Sequence, residues 1–174
     1  MRALFAILSL SILGVPPAHL AEEAPPAARP AEMIGEITVL PSGGSASYSL
    51  GRVVGPAVNL TETEKGTWKG NIRSYDGILK VTEKRISGVA FNLVLDQDGD
   101  EWTAQGVWEG KRVRIAATPD SLTVRIESKF YEMKRVAPDL FATVPAGPGL
   151  RVKGDAAARF PSYPQFVLAI LGTL

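Results

Sequence analysis

The stretch VAFNLVLDQDGDEWTAQGVWEGKRVRIAATPDSLTVRI, Val89–Ile126, decides the fold class because it alternates apolar and polar residues through four successive segments. Alternate side chains of a β-strand point to opposite faces, so this alternation indicates half-buried strands. The four predicted inward rows are Val89, Phe91, Leu93 and Leu95; Trp102, Ala104, Gly106 and Trp108; Val113, Ile115 and Ala117; and Leu122, Val124 and Ile126.

Short turn segments separate these rows: Asp98-Gly99, Glu109-Gly110-Lys111 and Pro119-Asp120. Links of this length join neighbouring antiparallel strands, because a parallel crossover needs about a dozen residues. Earlier rows with the same period are Ile37 and Val39; Ala46, Tyr48 and Leu50; Val58 and Leu60; and Trp68, Gly70 and Ile72. We therefore predict an all-β fold, an antiparallel up-and-down meander of about eight or nine strands that closes as a small barrel or a sandwich.

The start of the chain is typical of a secretory signal. Arg2 precedes an apolar run from Ala3 to Val15, and prolines and small residues follow up to Ala21. This order predicts a cleaved signal peptide over 1–21, since its apolar run is shorter than the about 20 residues that cross a membrane. The Pro/Ala-rich segment 22–33 predicts a disordered linker before a β-domain over 34–160. The expected location is the periplasm, or the cell exterior.

The segment 161–174 predicts a short apolar helix. Ser162 and Gln165 fit a capping box, and Gly172 stands where the helix is expected to end. Three interpretations are open: a plug over an open end of the β-domain, a final strand, or a tail that docks onto a partner, since an apolar helix left in water associates. The residues of such a docking tail are Phe166, Leu168, Ile170 and Leu171.

The composition excludes several kinds of catalysis. The chain has no cysteine, and its one histidine, His19, lies in the predicted signal. A Ser-His-acid triad, a cysteine nucleophile and zinc sites of His and Cys are therefore excluded after cleavage. Near-equal counts of 19 Lys+Arg and 18 Asp+Glu give no net basic character of the kind that nucleic-acid binding favours. We expect no catalytic residues, no cofactor, no nucleic-acid partner and no transmembrane segment after signal removal.

The metal sites and catalytic sites that remain to be considered would be built from carboxylates. The run Asp96–Glu101 has the alternate spacing of a calcium loop, but its glycine and its closing position do not match, so a polar hairpin turn is the competing interpretation. A two-carboxylate hydrolase would need acids such as Glu101, Glu109 and Glu127 to converge in a cleft. These three fall at predicted strand ends or on outward faces. We therefore expect no metal site.

A basic cluster surrounds Arg112, Arg114 and Arg125. If the hairpin turns near Pro119, Arg114 lies opposite Arg125, an unfavourable arrangement that Glu127 could relieve by lying near Arg112. This patch is either an ordinary solvated sheet face or a contact for an anionic surface, such as lipid headgroups in a peripheral membrane contact, or acidic polysaccharide.

The three tryptophans are Trp68, Trp102 and Trp108, and plain core packing competes with a ligand site for them. Gly66-Thr67-Trp68 resembles the Gly-x-Trp pattern of calycin barrels, the lipocalin and avidin-like proteins. The resemblance implies that Trp68 packs across a barrel floor below a cavity for a small apolar ligand. This chain departs from the pattern because two or three predicted strands precede Gly66.

Two function classes follow. The first is a non-catalytic exported protein that acts through protein–protein contacts, as a subunit of a cell-envelope assembly such as a secretion or motility apparatus. The second is a calycin-like carrier of a small apolar ligand, and a carboxylate-dependent hydrolase is a residual third.

Overall fold

The computed structural model describes residues 35–143, 147–154 and 164–174. The predicted signal peptide, the linker and Ser162 of the expected capping box lie outside these residues. The described chain forms fourteen strands and a helix: β1 Gly35–Leu40, β2 Ser45–Ser49, β3 Arg52–Gly55, β4 Val58–Glu64, β5 Thr67–Ile72, β6 Tyr75–Thr82, β7 Arg85–Gly88, β8 Phe91–Asp98, β9 Glu101–Trp108, β10 Lys111–Ala117, β11 Ser121–Ile126, β12 Lys129–Ala137, β13 Leu140–Ala142, β14 Gly149–Gly154 and α1 Pro164–Thr173.

Each strand pairs antiparallel with the next one along the chain, and β14 pairs with β1 to close the sheet into a barrel. The predicted all-β meander with a short C-terminal helix is therefore confirmed, and it closes as a barrel. The predicted number of strands was too low. β3, β7 and β13 span only four, four and three residues, and each buries one large side chain, Val53, Ile86 or Phe141. Such short strands show no alternation that a sequence pattern can detect.

The predicted inward rows form the core, with two exceptions. Leu50 is 65% exposed and Val89 is fully exposed, because both lie in two-residue turns rather than in strands. Gly70 and Gly106 lie within their rows, but a Cβ there would stand 1.9 Å from the carbonyl oxygens of Asn59 and Asn92. These two positions therefore serve close approach of neighbouring strands, not side-chain packing.

The helix α1 lies inside the barrel against β1 to β5. An eight-stranded barrel is filled by its own side chains, whereas a much wider barrel leaves a channel unless something occupies it. Here α1 supplies that filling, and every residue from Gln165 to Gly172 is buried. The helix continues past Gly172, which was expected to end it. A Cβ at Gly172 would lie 2.6 Å from Cγ1 of Val58, so the glycine allows close packing of helix and strand.

Because consecutive strands are antiparallel, their hairpin turns alternate between two rims. We call the rim with the turns after β2, β4 and β6 the lower rim, and the rim with the turns after β1, β3 and β5 the upper rim. Pro164 begins the helix at the lower rim, where it lines a cavity together with those three turns. The last turn of the helix lies at the upper rim, where the carbonyl oxygen of Leu171 accepts a hydrogen bond from Arg73 in the turn after β5.

Candidate functional site

A row of exposed side chains crosses the outer face of five neighbouring strands, β8 to β12. The register places Val94 opposite Gln105, Gln105 opposite Arg114, Arg114 opposite Arg125, and Arg125 opposite Phe130. All five side chains are exposed, since the alternate residues of these strands carry the core. At about 4.8 Å between strands, the row is about 19 Å long. We call it the arginine row.

Arg114 and Arg125 are direct cross-strand partners, as the predicted turn near Pro119 required. Like charges directly opposite each other on a sheet are destabilising. Within the described residues, the only ion pair joins Arg151 to Asp139 at 3.5 Å, so neither Arg114 nor Arg125 has a carboxylate partner there. The Nε of Arg125 donates a 3.5 Å hydrogen bond to the backbone carbonyl oxygen of Glu127, and the guanidinium of Arg85 donates two hydrogen bonds to Oδ1 of Asn92, at 3.1 and 2.8 Å.

Glu127 lies near Arg112, as expected, but it does not neutralise the guanidinium through an ion pair. Its Oε1 accepts a hydrogen bond from the backbone amide of Arg112 at 2.5 Å, and its own amide donates to the carbonyl oxygen of Arg112. Arg112, Arg114, Arg125 and Glu127 line a shallow cleft of about 350 Å³. The structure thus brings the three predicted arginines together on one face.

Apolar side chains flank the arginines. Phe130, 58% exposed, ends the arginine row, and Val94 begins it. Val107 lies opposite Arg112 and is also exposed. Sequence reasoning did not include Phe130 in this patch. The alternation of β11 into β12 could have placed it there, because Arg125 and Phe130 are equidistant from the turn at Glu127-Ser128.

The three tryptophans do not form one site. Trp68 lies on β5 and lines the cavity at the lower rim, whereas Trp108 lines a cleft at the upper rim beside Arg73 and Lys111. The Arg73 guanidinium carbon is 5.6 Å and the Lys111 Nζ 5.8 Å from the Trp108 ring centroid. Trp102 packs in the core opposite Ala117. All three side chains are nearly fully buried.

The lower-rim cavity has a volume of about 940 Å³. Its apolar lining comes from Leu50, Trp68 and Val81, and Gln165 contributes a polar side chain. Sequence analysis assigned Leu50 to the core and Gln165 to a helix cap, because no local pattern shows that the turn after β2 meets the start of the helix.

The carboxylates are spread over the surface. Asp96–Glu101 forms the exposed hairpin between β8 and β9, in which Gly99 adopts a positive φ of 55°. No group of acidic side chains with metal-binding spacing occurs among the described residues. Glu101 lies at the lower rim, whereas Glu109 and Glu127 lie in turns of the upper rim, so the three acids considered for hydrolysis do not converge.

The predicted docking residues Phe166, Leu168, Ile170 and Leu171 are all 0% exposed. They pack inside the barrel, so an exposed docking tail does not describe this structure. The burial has a simple cause: a helix that is apolar on every side removes most apolar surface from water when it is surrounded by sheet.

No family model matches the chain, and no curated protein and no solved structure was found to be similar to it. Within the described residues, no helix has the length and apolar character needed to span a bilayer.

Proposed function

We propose that this chain is a non-catalytic exported protein whose outer face on β8 to β12 docks onto the acidic surface of another cell-envelope protein. It would act in the periplasm as a structural subunit of a cell-envelope assembly, for example a secretion or motility apparatus. The location rests on the N-terminal signal pattern. The docking surface rests on one observation above all, the direct opposition of Arg114 and Arg125 with no acidic partner in the described chain.

The arrangement has a chemical use. Two arginines held side by side on a rigid sheet present two planar groups of donors that can each bind a carboxylate through paired hydrogen bonds. A partner carboxylate between them would replace repulsion by two favourable contacts. The cost that the pair imposes on the isolated fold thus supports a role in binding.

The composition of the surface favours a protein partner. Protein interfaces are enriched in arginine and aromatic residues, and Arg112, Arg114, Arg125 and Phe130 provide that combination. A second copy of this chain fits poorly, because a two-fold contact through the arginine row would bring four arginines together.

A photo-crosslinking amino acid at position 130 tests the proposal in cells that produce the chain. The matched control carries the same group at Ile78, which is 50% exposed on the outer face of β6, outside the arginine row. We expect one acidic protein to be attached at position 130, and not at position 78. In the R114E/R125E background this adduct should disappear, while circular dichroism should show an unchanged fold.

Three results would overturn the proposal: equal labelling at positions 130 and 78, adducts of position 130 with lipid or with a second copy only, or an adduct that persists in R114E/R125E.

A further inference from the structure

The closed barrel restricts how a partner can contact the outer face of β8 to β12. In the described chain every strand is paired on both sides, so none of them has a free edge to which an extended segment could add. A partner at this face must therefore recognise side chains across the strands rather than the backbone of one strand.

The spacing of the arginine row fits an α-helix that crosses the strands. Arg125 and Phe130 lie on the two strands that follow Arg114, about 4.8 and 9.6 Å from it along the row. On an α-helix, residues i+3 and i+7 share a side with residue i and rise about 4.5 and 10.5 Å above it. Alternate residues of an extended segment repeat at about 6.8 Å, and each side of a polyproline helix repeats at about 9.3 Å. Of these three conformations, the α-helix matches the row best.

Small side chains form the surface beside the arginines, on the side of the lower rim. Ala116 lies two residues after Arg114 on β10, about 6.8 Å from the arginine row, and the register places it between Thr103 and Thr123. All three of these small residues are half-buried. We call them the ledge. Because the packing distance of a helix depends on the side chains at the contact, the ledge allows a helix backbone to lie close to the sheet.

Acidic residues lie at both ends of the ledge. Asp96 is opposite Thr103 and Glu132 is opposite Thr123, and both acidic side chains are exposed. Neither carboxylate forms an ion pair within the described residues. They would repel acidic side chains of a partner that lie beyond the arginine pair. A partner with two acidic residues close together therefore fits better than one with a long acidic run.

From this geometry, and resting on the docking function proposed above, we infer that the partner docks through an α-helix that lies on the ledge across β9 to β12. Acidic side chains at i and i+3 of that helix bind Arg114 and Arg125, and an apolar side chain at i+7 packs on Phe130. Small residues of the helix face Ala116. The surface therefore selects a helix with this pattern over acidic surfaces in general.

Fluorescence polarisation at low salt with three dye-labelled peptides of about 20 residues, long enough to form a helix, tests the helical spacing. The first is alanine-rich, with glutamate at i and i+3 and leucine at i+7. The second has the same composition, but its second glutamate is moved to i+5 and so faces away from the first. The third is the first peptide with two central alanines replaced by proline, which breaks the helix.

We expect the second peptide to bind about two- to fivefold more weakly than the first, the contribution of one exposed ion pair. The third should bind no more tightly than the second. In R114E/R125E the first peptide should lose its advantage over the second. Equal affinity of the first two peptides, or of the first and the third, would overturn the helical partner.

Ala116→Phe tests the ledge, because a large side chain there holds the helix away from the sheet. Ser47→Phe is the matched control, since Ser47 is also a small, half-buried residue on the outer face, but it lies on β2. We expect Ala116→Phe to weaken binding of the first peptide about fivefold or more, and Ser47→Phe to leave it unchanged. The same affinity in both variants would contradict the role of the ledge.

The crosslink at position 130 does not depend on the conformation of the partner, so the two proposals can fail separately. An acidic adduct at position 130 together with equal binding of the three peptides would remove the helix and leave the docking function in place. If no acidic protein is attached at position 130, the docking function itself fails, and this inference fails with it.

Discussion

Arg73 reaches from the turn after β5 to the end of the buried helix, where its Nε donates a 2.9 Å hydrogen bond to the carbonyl oxygen of Leu171. The last carbonyl groups of a helix have no partners within the helix, and a cation near that end is favourable. The same guanidinium stands over the ring of Trp108. Arg73 thus joins the helix, one upper-rim turn and the wall of the barrel.

Replacing Arg73 by glutamine should therefore destabilise the fold. We expect the free energy of unfolding to fall by about 2–4 kcal/mol, the combined contribution of one charge-assisted hydrogen bond and one exposed cation–π contact. Urea unfolding followed by circular dichroism measures the change. Arg52→Gln is the control, because Arg52 is exposed on β3 and its side chain makes no hydrogen bond among the described contacts. If both variants lost the same free energy of unfolding, Arg73 would not have the stabilising role that we assign to it.

The buried position of α1 is tested by shortening one of its side chains. Leu168→Ala should lower the free energy of unfolding by about 2–5 kcal/mol, because it leaves a cavity in a packed interior. The change is measured by chemical denaturation against Leu50→Ala, which alters an exposed leucine and should cost less than about 0.5 kcal/mol. If Leu168→Ala were as mild as Leu50→Ala, the helix would be a surface segment and the docking-tail interpretation would return.

Gly106 marks a place where two strands approach too closely for a side chain. Its φ is 151°, and a Cβ would stand 1.9 Å from the carbonyl oxygen of Asn92. Gly106→Ala should cost about 3 kcal/mol or more, since a backbone oxygen must move and the conformation is strained. Gly44→Ala is the control, because its nearest neighbour is 4.0 Å away and its φ is not positive. Thermal unfolding of both variants tests this prediction, and similar midpoint temperatures would contradict the predicted clash.

Repulsion between Arg114 and Arg125 should lower the free energy of unfolding of the isolated protein. Arg125→Glu turns a repulsive cross-strand pair into an attractive one, so the free energy of unfolding should rise by about 0.5–1 kcal/mol at low salt. At about 1 M salt, where the Debye length is about 3 Å, most of the gain should vanish. Arg52→Glu makes the same change of charge opposite Thr61 and is the control. An identical response of both variants would show that Arg114 and Arg125 do not repel.

The parts of this fold that depend on local alternation of apolar and polar residues could be predicted from the sequence. The rows through Val113 and Leu122 are inward as predicted, and the short link at Pro119 was enough to place Arg114 opposite Arg125. A regular strand of six or more residues repeats its pattern often enough to be recognised, and a tight turn fixes the register of the two strands it joins.

The parts that depend on closure could not be predicted. Gln165 and Leu50 are 115 residues apart in the chain, and Arg73 and Leu171 are 98 apart, so neither contact leaves a local pattern. The apolar sequence of this segment left open a plug, a final strand or a docking tail. Its position inside the sheet follows from the width of a fourteen-stranded barrel, and that width depends on strands too short to be counted from sequence.

The proposal of an acidic protein partner is tested most directly by the yield of the crosslink at position 130 as a function of salt and charge. Raising sodium chloride from about 0.1 M to about 1 M shortens the Debye length from about 10 Å to about 3 Å. We expect the yield to fall steeply over this range, and to be absent in R114E/R125E at both concentrations. A yield that stays constant with salt and survives the double charge reversal would contradict the role of the arginine row.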